Sequence, residues 1–158
     1  MYSICKLKFW NIASLLKVSD ILYECGKDMA KKFDLHHWDN SRLKSLVIVL
    51  WCMLKNNIYL VYNHKIPVAT FQTRKVNHSY LFEKLATLPD FAGDGVGTFC
   101  LNKIELLGKN EGCQEIICAV LENSEHAKRF YERRGFAEYG TTRTLKYTEL
   151  KLKKNLEG

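Results

Sequence analysis

Gly93, Gly95 and Gly97 stand at alternate positions between a stretch that ends at Pro89 and a run with helical apolar spacing. No other junction in the chain constrains the fold as much. Pro89 cannot donate to a strand ladder, so it closes a strand running from Tyr80 to Leu88. Beyond the glycines, Val96, Phe99, Cys100, Ile104 and Leu107 recur at helical intervals, and Gly108 and Gly112 bracket the exit. A strand that feeds a helix through a glycine turn belongs to an α/β architecture. Glycine accepts φ > 0 and lets a ligand come close to backbone, while the first helical turn offers N–H groups at the positive end of the dipole. Together they suit a pyrophosphate, with Thr98 adding a hydroxyl. On the glycines alone, a turn with no ligand is as good a reading.

The remaining segments predict a mixed sheet. Tyr2 to Trp10 alternates as a first strand, and Ile12 to Phe33 carries an apolar stripe fitting one or two amphipathic helices. Asp39 or Ser41 could cap a helix through Leu43 to Leu54, although its β-branched centre keeps a strand open. Ile58–Tyr62 and Val68–Gln72 around Asn63-His64-Lys65 read as a hairpin. Gln114 to Leu121 reads as an apolar strand, Ser124 to Arg134 as a helix stopped by Gly135, and Thr141 to Lys153 as one last strand. The expected fold is a mixed, mostly antiparallel central sheet with helices on both faces, in a single domain over residues 1–158.

Composition sets the limits. An apolar fraction of 47% beside 26% charged residues is enough for a packed core and argues against disorder. The longest apolar run, Leu46 to Leu54, stops at Lys55, short of a bilayer span, and Met1 to Lys8 lacks a signal-peptide core. A cytoplasmic protein with no membrane partner is the expectation. Cys5, Cys25, Cys52, Cys100, Cys113 and Cys118 include no C-x-x-C pair, and the histidines His36, His37, His64, His78 and His126 have no ligand spacing, so no metal is expected. Cys118 lies in an apolar strand, which predicts an inert thiol. The net charge of +7 fits nucleic acid, an acidic substrate or a phosphorylated cofactor. Part of it sits in Lys146, Lys151, Lys153 and Lys154, where a solvated strand explains it, and no recognition-helix or stacking motif supports nucleic acid.

Spacing narrows the glycine turn. A P-loop needs Lys and Ser/Thr after its last glycine, but Gly97 is followed by Thr98-Phe99. A dinucleotide fingerprint needs its third glycine at position 98 or 100, where Thr98 and Cys100 stand. The segment Leu85 to Gly97 instead resembles the coenzyme-A signature of the GNAT superfamily of N-acetyltransferases, in which a strand and a proline lead into [Q/R]-x-x-G-x-[G/A] at a helix start. Ala92 departs from it, standing where the family usually has Arg or Gln. Asn123 to Phe136 resembles a second signature of the same superfamily, N-x-x-A-x-x-x-Y-x-x-x-G-F, through Asn123, Ala127, Tyr131, Gly135 and Phe136. Asn123 lies one residue further from Tyr131 than the commonest family spacing, which falls on Ser124, so either of the two is the candidate contact.

The resemblance implies an enzyme that passes acetyl from acetyl-CoA to a primary amine by direct attack in a ternary complex. It implies cofactor contacts from Leu85, Ala86 and Thr87 to the pantetheine arm, from Gly93, Asp94, Gly95, Val96, Gly97 and Thr98 to the pyrophosphate, and from Asn123 or Ser124. Tyr131 would protonate the departing thiolate, and Glu83, on the side of the strand shared by Leu85 and Thr87, would be the base. The acceptor would be a small-molecule or peptide amine, and a homodimer is compatible with the family. The alternative reading is a non-catalytic acyl-CoA-binding module.

Overall fold

Helix formation begins at side-chain caps. Asn11 Oδ1 accepts from Ser14 N–H at 3.0 Å and opens one unbroken helix, α1 (Ile12–Phe33). Its stripe of Leu15, Val18, Ile21, Leu22 and Cys25 is buried, and the helix ends on Asp34 in the left-handed region at φ 54°. Ser41 Oγ accepts from Lys44 N–H and opens α2 (Arg42–Cys52). The β-branched centre of that segment is therefore helical, because Ser45, Val49 and Cys52 bury at helical intervals. The computed structural model describes residues 1–36 and 41–156. Asp39, the other predicted cap, and His37 lie outside the described residues.

Among the described residues, seven strands form one mixed sheet in the order β1-β2-β3-β4-β5-β7-β6. They are β1 (Tyr2–Lys6), β2 (Asn57–Asn63), β3 (Ile66–Val76), β4 (Ser79–Thr87), β5 (Glu115–Leu121), β6 (Ala137–Arg143) and β7 (Thr148–Asn155). A 3-10 turn (Pro89–Phe91) follows β4, then come α3 (Val96–Asn110) and, after β5, α4 (Glu125–Glu132). The β4–β5 pair is parallel; β1–β2, β2–β3, β5–β7 and β6–β7 are antiparallel. No helix among the described residues is long and apolar enough to cross a membrane.

The chain divides into two compact units. The first, Met1–Arg74 with Lys84–Lys103, has a core of Leu15, Val18, Ile21, Val49, Leu60 and Ala86, among others. Its β2–β3 hairpin turns at His64, which takes φ 54°, and Pro67 is tolerated opposite Tyr62 where the register shifts. The second unit, Lys75–Glu83 with Ile104–Gly158, is built on β5 and β7 around Ile116 and Leu152, both fully buried. Here Gly108 packs so closely that a Cβ would come within 3.1 Å of Tyr80 and Leu156.

The last strand is a correction. Thr141 to Lys153 is not one strand but the facing ends of two, β6 and β7. The turn carries neither Gly nor Pro. Thr144 makes it instead: its Oγ1 donates to the Tyr147 carbonyl at 2.8 Å and accepts from the N–H groups of Lys146 and Tyr147. The first strand is also shorter than expected, ending at Lys6 before a turn at Phe9-Trp10.

Candidate functional site

In the first unit, the strand end, the 3-10 turn and the start of α3 set out the predicted cradle. Gly93 and Gly95 take φ 92° and 81°, conformations that cost an L-residue strain, and a Cβ at either would meet nothing within 4 Å. The turn is thus a left-handed track over open space, as a close-approaching ligand requires. The Gly95 carbonyl accepts from Phe99 N–H at 2.9 Å, which makes Gly95 the cap of α3. Val96 is buried and anchors the first turn, while Gly97 and Thr98 are half-buried. No acidic residue lies in that first turn to oppose an anion. Asp94 carries its carboxylate in the exposed turn, so its use to an anion is through backbone.

A residue with no sequence signal holds this turn. The Tyr2 hydroxyl donates to the Asp94 carbonyl at 3.0 Å, and the Tyr2 ring lies 5.4 Å from that of Phe99. At the end of β4, Ala86 is buried against α1 and α2, whereas Leu85 and Thr87 are half-buried. The Thr87 carbonyl accepts from the Cys25 thiol at 3.0 Å, which ties the strand end to α1. Lys84 sits in the left-handed region at φ 50°, so the alternation that put Glu83 on one side with Leu85 and Thr87 is interrupted between them. Glu83 itself belongs to the second unit.

In that second unit, Tyr131 is buried within an aromatic cluster, 5.7 Å from Phe82, 5.2 Å from Phe130 and 5.4 Å from Phe136 between ring centroids. The Tyr131 carbonyl receives the N–H groups of Arg134 and Phe136 where α4 ends and the chain turns at Gly135, φ 86°. Ser124 is the buried cap residue of α4. It makes no side-chain cap bond, and its Oγ lies 3.4 Å from His126 Nδ1. Burial holds the His126 imidazole below its ordinary pKa. Asn123 is exposed. The Cys118 thiol is buried and its pKa is pushed up by desolvation, which leaves it unreactive.

The model of the Acetyltransferase (GNAT) family matches residues 20–136, more than half of the chain. The chain belongs to the GNAT acetyltransferase family. That span contains every residue singled out for cofactor or catalysis, and Tyr2 lies outside it. No curated protein matches the chain in sequence. Among solved structures, the ribosomal-protein-S18-alanine N-acetyltransferase from Escherichia coli is similar with TM-score 0.76 at 16% identity, over 100% of this chain and 96% of that one. The paia N-acetyltransferase from Thermoplasma acidophilum, in complex with coenzyme A, gives 0.77 at 16%, over 98% and 99%. Aminoglycoside 6'-acetyltransferase type Ii gives 0.75 at 15%, over 99% and 98%. At these identities the likeness is one of fold, the GNAT mixed sheet with its flanking helices.

Proposed function

We propose that this GNAT chain transfers acetyl from acetyl-CoA to a primary amine by direct attack in a ternary complex. The observation that carries the reading is the left-handed pair Gly93 and Gly95 opening α3 over unfilled space. Backbone donors of residues 93–98 would hold the pyrophosphate, and Thr98 would add its hydroxyl. With Ala92 in place of Arg or Gln, backbone does the work a side chain shares elsewhere in the family. Leu85, Ala86 and Thr87 would line the pantetheine arm, with an N–H directed at the carbonyl oxygen where negative charge develops. Asn123 or Ser124 would add a further contact. Tyr131 would protonate the departing thiolate, and Glu83 would take the proton of the attacking amine.

Two of the named neighbours are acetyltransferases of a ribosomal-protein alanine and of an aminoglycoside, so the acceptor panel spans peptide amines, aminoglycosides and simple amines. Coenzyme-A release is measured for wild type and Tyr131→Phe. Phe keeps the aromatic packing and removes only the hydroxyl, so kcat falls by about a hundredfold or more while KM for acetyl-CoA is kept. Ala92 also favours a second reading, a binding module without turnover. Thermal stabilisation by acetyl-CoA with no turnover on any amine would establish that module, and absence of stabilisation would defeat both.

A further inference from the structure

The outer side of α2 is apolar and, among the described residues, uncovered. Leu43, Val47, Leu50 and Trp51, with Leu54 in the following turn, recur at helical spacing and are all exposed, while Ser45, Val49 and Cys52 fill the buried side. Leu54 is 82% exposed and Trp51 57%. Phe9 and the 64%-exposed Trp10 extend the surface from the β1–α1 turn, lining with Met53, Lys6 and Lys8 a cavity of about 280 Å³. Exposed apolar side chains gathered in this way mark a contact surface.

Charge selects what it contacts. Residues 1–19 and 41–74 carry eight Lys and Arg and no Asp or Glu, more than the whole chain's net +7. The C-terminal lysines differ, since Lys153 and Lys154 lie 3.6 and 2.7 Å from Glu115 and Glu105. Around the apolar face stand Lys6, Lys8, Lys44 and Lys55, with Lys8 Nζ 5.5 Å from the Trp10 ring and Lys55 Nζ 4.3 Å from the Trp51 ring. Arg42, the guanidinium nearest the face in sequence, is already held by Asp20 and Glu24. What remains is point charge on flexible stems, suited to dispersed anions rather than to a bidentate partner. A second copy packed antiparallel along α2 would set Lys44 against Lys55.

We propose that this face, α2 with the Phe9-Trp10 turn, docks on an anionic lipid surface. Leu and Trp enter the headgroup boundary and the lysines reach the phosphates. The glycine turn stays clear, because Tyr2, which bonds to Asp94, stands at the opposite end of β1 from Lys6.

The test uses the full chain with vesicles of phosphatidylcholine, with and without phosphatidylglycerol, read by co-sedimentation and tryptophan emission. Trp10 and Trp51 are two of three tryptophans, so docking reports directly. Expected are binding and a blue shift only with phosphatidylglycerol, loss of both at high salt, and roughly fivefold weaker binding for each of Lys8→Gln and Lys55→Gln. Leu54→Glu abolishes binding at unchanged melting temperature and unchanged coenzyme-A affinity. The proposal is overturned if phosphatidylglycerol vesicles are not bound, or if Leu54→Glu binds them as wild type does. It is equally overturned if the chain forms a dimer that Leu54→Glu dissociates, or if an acidic amphipathic peptide is bound while vesicles are not.

Discussion

Tyr2 is separated by 92 positions from the carbonyl it holds, and that bond fixes the orientation of the peptide preceding Gly95. Tyr2→Phe deletes one hydrogen bond worth about 1 kcal/mol, so coenzyme-A Kd measured by calorimetry rises roughly fivefold with little change in melting temperature. An unchanged Kd would remove Tyr2 from the cradle. The buried thiols make a second prediction. Desolvation raises Cys25 and Cys100 from 9.0 to about 12, so the folded state keeps protons that the unfolded chain releases. Their stabilisation is complete below pH 9 and is lost as pH rises from there toward 12. His126 works in the opposite direction: its lowered pKa gives stability that is present above pH 6.5 and lost as pH falls. Denaturant melts from pH 5 to 10.5 therefore show a plateau between these limits, and a profile still rising above pH 9 would contradict the assignment.

Local elements divide by whether their punctuation is written in sequence. The α2 start was legible as Asp39 or Ser41, of which Ser41 is the cap, and the α3 start in the glycines, because caps and left-handed turns depend on a few adjacent residues. At Gly95 a methyl has room but the φ of 81° is strained, so Gly95→Ala costs about 1–2 kcal/mol in denaturant melts and weakens coenzyme-A binding further. The β6–β7 turn was not legible, since Thr144 serves it with a hydroxyl rather than with Gly or Pro. Thr144→Val keeps the shape and loses the bonds, and amide exchange in β6 and β7 accelerates while that in β1 does not. The strand alternative for α2 was live because Val47-Ile48-Val49 has equal claim to both periods; burial of Val49 and Cys52 at helical spacing decided it.

For the molecule as a whole, we propose that the two units act as one acetyltransferase domain. β4 and α3 each give residues to both units, so neither unit melts without fraying an element of the other. A single calorimetric transition with equal calorimetric and van't Hoff enthalpies is expected, and two resolved transitions would refute it. The sequence by itself determined the α/β class and the glycine turn between β4 and α3, because each rests on periodicity or backbone permission within about a dozen residues, while the helical state of α2 needed the burial of Val49 and Cys52. Membership in the GNAT family rests on the family model's match to residues 20–136. Only the tertiary structure decided what distance along the chain conceals: Tyr2 on Asp94, Cys25 on Thr87, the aromatic setting of Tyr131 and the outward face of α2. Those contacts depend on which surfaces folding brings together and which it leaves in water, and no local pattern encodes that choice.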